Sequence, residues 1–242
     1  MSIICAKDIR KVYHVGKEKI VALNRISLNI EQGEVCCVLG TSGSGKSTLL
    51  NIMAGLEKPS KGSISIAGAD VTGFSEKQWA VFRQKNIGFV FQSYNLMPTL
   101  TALENVAMPL VFKGINKKER NKQSAQMLKA VHLGNRLLHK PTQMSGGQQQ
   151  RVGIARAFVS RPKIIFADEP TGNLDSKTSR EVMGIMVSMA KQYHETLIIV
   201  THDREIARYS DRIITIHDGN IQSDESNISI LSDLKTEEEK AI

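Results

Sequence analysis

The chain has 242 residues, 41% of them hydrophobic, enough to bury a full core as one large domain or two small, tightly joined ones. No run approaches the roughly 18 apolar residues of a membrane-spanning helix, and Met1 to Tyr13 is broken by Lys7, Asp8, Arg10 and Lys11, so a spanning segment and a signal peptide are both excluded and a cytoplasmic protein is expected. The formal net charge of +8 admits an anionic partner, nucleic acid or lipid headgroups, but selects neither.

In chain order, short apolar runs rich in β-branched residues (Ile26 to Ile30, Val35 to Leu39, Ile87 to Phe91, Ile164 to Ala167, Leu197 to Val200, Ile213 to Ile216) alternate with helical stretches, the pattern of an α/β fold with buried parallel strands. Cys36 and Cys37 sit inside the second run, and Cys5 is the third cysteine. With no second Cys or His cluster at ligand spacing, core packing is the expected role. A helix is expected over Ser47 to Ala54. Two further helix starts carry capping boxes: Ser75 with Gln78, ahead of Trp79 and Phe82, and Thr101 with Glu104, opening Ala102 to Phe112. Strand signals vanish from about Gln92 to Gln143, where Met127, Leu128, Val131, Leu137 and Leu138 keep helical spacing, so a helical insertion is predicted. That interval concentrates Lys113, Lys117, Lys118, Arg120, Lys122, Lys129, Arg136 and Lys140, which suits a solvated face or a surface near anionic lipid equally. The sheet resumes at Ile164, Asp218-Gly219-Asn220 reads as a turn between two short strands, and Asp233 with Glu237, Glu238 and Glu239 makes the end acidic.

Four segments carry chemistry. Gly40-Thr41-Ser42-Gly43-Ser44-Gly45-Lys46-Ser47-Thr48 matches G-x-x-x-x-G-K-[ST] between a strand and a helix. Its glycines let backbone N–H groups curl around phosphates, Lys46 reaches the terminal phosphates, and Ser47 suits Mg²⁺. A helix terminus contributes only about 0.3–2 kcal/mol toward a nearby anion, so lysine and metal must share the load. Ile164 to Ala167 leads into Asp168 and Glu169, a strand ending in two carboxylates: Asp168 is placed to hold Mg²⁺, and Glu169 to position or deprotonate the attacking water. His202 ends the apolar stretch Thr196 to Thr201, where parallel sheets gather ligand-binding groups. The fourth segment is Met144 to Gln150, M-S-G-G-Q-Q-Q, followed by a helix-like run through Phe158. Taken alone it reads as a glycine turn with a helix cap.

Taken together and in this order, from about Ile3 to Ile221, these motifs resemble the ATP-binding cassette (ABC) family. The resemblance implies a P-loop NTPase core sheet with helices, an N-terminal antiparallel β portion and a helical subdomain of about residues 93–160, within one nucleotide-binding domain (1–222) followed by an acidic tail (223–242). It implies ATP and Mg²⁺ as cofactors. Tyr13 occupies the place of an aromatic that stacks on adenine, Gln92 that of a glutamine sensing Mg²⁺ and water, and His202 that of a switch histidine at the γ-phosphate. Ser145, Gly146, Gly147 and Gln148, with Asp175 in Gly172-Asn173-Leu174-Asp175, would complete the ATP site of a second copy in a head-to-tail homodimer. A separate membrane permease is the implied partner and no nucleic acid is expected, which places the protein peripherally on the inner face of the cell membrane. Thr171 to Asp175, Tyr94 to Pro98 and Leu100 to Val106 look like the lipoprotein-release, macrolide-efflux and antimicrobial-peptide-export group. Met144 stands where leucine is usual, and Thr41 where proline or asparagine is common. A cassette that signals through a membrane partner without transport is the alternative. Ribosome- or DNA-acting cassettes carry a second cassette or long insertions, which this sequence lacks.

Overall fold

The computed structural model describes residues 1–16 and 18–227. The acidic positions Asp233 and Glu237 to Glu239 lie outside the described residues. The chain divides into two compact units, one of Met1–Phe74 with the chain from Thr196, the other of Ser75–Glu195.

The first unit opens with β1 (Ser2–Val15) and β2 (Glu18–Glu31), an antiparallel pair in the register Ile4↔Ile30, Ile9↔Ile26 and Tyr13↔Ile20. Alternation buries Ile4, Ile9, Leu23, Ile26, Leu28 and Ile30 on one face. Both strands run further than the apolar run Ile26 to Ile30 indicates, because charged residues punctuate β1 and the far end of the pair, His14 and Val15 with Glu18 to Val21, is exposed. Bulges between Ala6 and Lys11, with Asp8 at φ 49°, further break the period in the sequence. Next comes β3 (Val35–Leu39), whose residues Val35 to Val38 are fully buried. Burial holds the Cys36 thiol well above its ordinary value, so it packs rather than reacts. After α1 (Lys46–Met53), β4 (Lys61–Ile66) and β5 (Ala69–Asp70) complete an antiparallel sheet of order β2-β1-β4-β5.

The second unit begins with α2 (Glu76–Asn86), capped by the expected Ser75–Gln78 box, and β6 (Ile87–Phe91). The helices α3 (Ala102–Phe112), α4 (Lys117–Ala130) and α5 (Gly146–Phe158) pack on one another, with Thr101–Glu104 capping α3 as expected. Val106, Leu110, Met127, Leu128, Val131, Val152, Ile154 and Phe158 are buried in this unit. Of the basic stretch, Lys117, Lys118, Lys122 and Lys129 are exposed on α4, whereas Lys113 turns inward to donate to the Ser160 carbonyl at 2.7 Å. The strand β7 (Ile164–Asp168) pairs in parallel with β6, from Ile87↔Ile164 to Phe91↔Asp168, and α6 (Ser176–Tyr193) follows.

The chain re-enters the first unit as β8 (Thr196–Thr201), α7 (Arg204–Ala207), β9 (Arg212–His217) and β10 (Asn220–Ser226). Here β3 lies between β8 and β9, parallel to both, with Leu39 opposite Thr201 and Thr215. The β9–β10 hairpin turns at Asp218 (φ 46°) and Gly219 (φ 71°), the two positive angles that a tight hairpin turn requires and that Asp-Gly supplies.

Candidate functional site

In the first unit the loop Gly40 to Thr48 leaves the end of β3 and feeds α1. The pairing Leu39↔Thr201 puts that loop and His202, exposed just past β8, at the same edge of the sheet. Buried strands force this arrangement, since only their ends can present polar groups to solvent. Gly45 sits at φ 103° and caps α1. A Cβ there would meet the Ala22 carbonyl at 2.5 Å and the Leu23 side chain at 2.9 Å, so no other residue fits.

Six of the seven α-helices among the described residues begin with a side chain accepting from their first-turn amides: Ser75, Thr101, Asn116, Ser145, Asp175 and Asp203. Only α1 begins without such a cap and without an acid in its first turn. A helix N-terminus leaves its first amides without intrahelical acceptors and carries positive potential, and α1, with no capping side chain and no first-turn acid, leaves that potential to an external anion. Two further donors stand beside it. Lys46, 6% exposed, bends its ammonium back to the Thr41 carbonyl at 2.7 Å. The Ser44 hydroxyl is buried and has no hydrogen-bond partner among the described residues. These groups form a polyanion cradle, and they fit a nucleotide's phosphates.

The cradle is braced from outside its motif. The Gly219 amide donates to the Ser44 carbonyl at 3.0 Å, and the Gly219 carbonyl accepts from the Asn24 amide at 2.8 Å. The Asp-Gly turn is legible in sequence, but nothing there says that it buttresses the loop. Tyr13, half-buried on β1, hydrogen-bonds through its hydroxyl to the Glu57 carboxylate at 2.7 and 2.8 Å.

In the second unit the register Phe91↔Asp168 brings Gln92 to the same strand ends as Asp168 and Glu169. Glu169 has φ 45°, a left-handed backbone that costs a non-glycine residue of order 1–2 kcal/mol. Such strain concentrates where a side chain must be aimed. The Asn173 side chain donates to the Gln92 backbone carbonyl at 3.1 Å and accepts from the Gln92 side-chain amide at 3.4 Å.

Ser145 caps α5 in a reciprocal box: its hydroxyl accepts from the Gln148 amide at 3.3 Å, and the Gln148 side chain accepts from the Ser145 amide at 3.2 Å. The hydroxyl hydrogen of Ser145 and the first amides of Gly146 and Gly147 remain as donors beyond that box. Asp175 caps α6, and its hydrogen bonds from the Thr178 hydroxyl, then the Thr178 amide, hold its carboxyl below the usual carboxylate range.

Sequence reasoning missed two residues that shape this unit. Arg156 on α5, its basicity lowered by burial, donates to the carbonyls of Tyr94 and Asn95 at 2.9 and 2.5 Å, both in left-handed conformations. Asn105, fully buried, bonds the backbone of Met97, Leu100 and Thr101 and so shapes the loop ahead of α3. Neither has a local signal, since an Arg in a helix and an Asn four residues past a cap are ordinary.

The family model described as ABC transporter matches residues 23–172. The chain belongs to the ABC transporter family. An ABC transporter ATP-binding protein of Methanocaldococcus jannaschii, MJ1508, is 49% identical over 216 residues, 89% of this chain and 96% of that one. The macrolide export ATP-binding/permease protein MacB of Brucella melitensis is 48% identical over 92% of this chain, which spans only 34% of MacB. Among solved structures, the dimeric post-hydrolysis state of the ATP-binding cassette MJ0796, bound to ADP and Pi, aligns with TM-score 0.86 at 43% identity, covering 93% of this chain and 98% of that one. As a member of the family, this ABC cassette is the nucleotide-binding subunit of a transporter, and its activity is ATP hydrolysis. The mixed α/β fold expected from sequence is the fold of these cassettes.

Proposed function

We propose that two copies of this chain close head to tail around two ATP molecules and reopen on hydrolysis, driving a separate permease from the inner face of the cell membrane. The observation that carries the reading is the N-terminus of α1, the one α-helix among the described residues that begins without a capping side chain. Gly40 to Thr48 hold the phosphates, with Lys46 swinging from the Thr41 carbonyl onto the terminal phosphates and Ser44 adding its hydroxyl. Tyr13 stacks on the base. Ser47, Asp168 and Gln92 supply hydroxyl, carboxylate and amide oxygens, the hard donor set that suits Mg²⁺. When bound, the metal neutralises charge on the phosphates.

Glu169, aimed by its left-handed backbone, takes the proton of the attacking water, and His202 contacts the γ-phosphate. Ser145, Gly146, Gly147 and Gln148 meet the γ-phosphate bound to the other copy, with Asp175 at the seam. The segment 93–160 is the helical portion through which closure passes to the permease, with residues 1–222 working as one nucleotide-binding domain. The likeness to MacB, named for macrolide export, supports an export or extraction system for a drug, peptide or lipoprotein. That no helix among the described residues is long and apolar enough to cross a membrane fits a separate permease chain. Glu169→Gln should bind ATP normally, hydrolyse it at least about a hundredfold more slowly, and elute as an ATP-dependent dimer in gel filtration. Turnover at the parent rate would remove Glu169 from its role.

A further inference from the structure

Tyr13 is tethered more firmly than a half-buried tyrosine on an exposed strand arm requires. Its hydroxyl faces both oxygens of the Glu57 carboxylate at 2.8 and 2.7 Å. The Thr48 side chain is a second hydrogen-bond partner of the same hydroxyl. Glu57 is in turn paired with the Lys11 ammonium at 3.4 Å, and that ammonium also donates to the Lys58 carbonyl at 2.8 Å. Lys11 lies 5.0 Å from the centroid of the Tyr13 ring, so the ring has a cation on one face. Thr48 belongs to the first turn of α1, the turn that begins with Lys46. The ring is therefore anchored to the same helical turn as the phosphate cradle, and hydrogen bonds, beyond the backbone of β1, set the spacing between cradle and ring.

We infer that Glu57 is a positioning residue for base affinity: with Lys11 and Thr48 it fixes the plane of Tyr13, so that the face opposite Lys11 receives the base of the nucleoside triphosphate. The inference rests on the placement of the base against Tyr13 proposed above. A hydrogen bond to a charged acceptor is shorter and stronger than a neutral one. Losing it releases the ring to rotate, and the entropy of ordering it again is then charged to nucleotide binding. The phosphate contacts do not pass through Tyr13, so the effect falls on the base alone.

The test compares the KM for ATP with the inhibition constant of magnesium tripolyphosphate, which carries no base. Glu57→Leu should raise the KM for ATP about three- to tenfold, the range of one net hydrogen bond, with kcat and the tripolyphosphate constant unchanged. Glu57→Gln, which keeps a neutral acceptor, should recover part of the loss. Tyr13→Phe should match Glu57→Leu, and the double variant should be no worse than either, because both break the same bond. An unchanged ATP KM in Glu57→Leu and Tyr13→Phe, with a raised one in Tyr13→Ala, would overturn the role of Glu57 and leave the base on Tyr13. An unchanged KM in Tyr13→Ala would overturn the base placement and this inference with it. Parallel weakening of ATP and tripolyphosphate would make Glu57 a brace for α1 and also overturn the inference.

Discussion

Glu195, just past α6, should destabilise the protein in a pH-dependent way that a single isosteric change removes. Its side chain is 4% exposed, and neither carboxyl oxygen has a hydrogen-bond partner among the described residues. Burial pushes the carboxyl from 4.5 up to about 8, against a smaller opposing pull from Arg161. Because the folded value lies above the unfolded one, the folded state holds the proton longer. Stability from this group is complete below about pH 4.5 and is lost as pH rises toward 8. Each unit of separation corresponds to about 1.36 kcal/mol, so the cost is about 3 kcal/mol at pH 7 and about 4 kcal/mol at pH 8. Glu195→Gln keeps the shape and stays neutral throughout. In urea unfolding it should be more stable than the parent by about those amounts at pH 7 and 8, and match it within about 1 kcal/mol at pH 5. A gap of equal size at pH 5 and pH 8, or a variant less stable than the parent at pH 8, would refute the reasoning.

Lys46→Ala removes the cation beside the cradle and should weaken ATP binding about ten- to a hundredfold, read by nucleotide titration, with little change in thermal stability because its ammonium makes one contact among the described residues, to the Thr41 carbonyl. Mixing Ser145→Arg chains with Lys46→Ala chains should restore hydrolysis to a fraction of the parent rate, since one site of the mixed dimer keeps an intact Gly40 to Thr48 loop and an intact Ser145 to Gln148 segment. No recovery in that mixture would count against head-to-tail closure. Gly219→Ala forces a left-handed alanine at φ 71° with its Cβ 2.7 Å from the Ala22 carbonyl. It should cost about 1–3 kcal/mol in urea unfolding and weaken ATP binding although Gly219 lies far from the loop in sequence.

Much of the site was legible because its signals are local. Gly40 to Thr48 needs a strand before it and a helix after it, and both are written in adjacent residues. The same holds for the carboxylates after Ile164 to Ala167 and for the capping boxes at Ser75 and Thr101, where one side chain and one amide three residues on decide the geometry. The long β1–β2 pair was harder to read. Its distal residues are exposed on both strands, so no hydrophobic period betrays them, and bulges shift the period where the strands are buried.

By itself the sequence determined the alternation of buried strands and capped helices, the phosphate loop and the order of the motifs, since each follows from residue type at short spacing. Tertiary structure alone decided which distant groups support them. Leu39 opposite Thr201 brings the loop to the edge where His202 stands, and Phe91 opposite Asp168 brings Gln92 to Glu169. The Gly219 turn braces Ser44, Arg156 clamps the carbonyls of Tyr94 and Asn95, and Glu57 tethers Tyr13. The physical reason is that strand register and long-range hydrogen bonds are set by how buried faces meet, and neither partner of such a contact carries a mark of the other in its own neighbourhood.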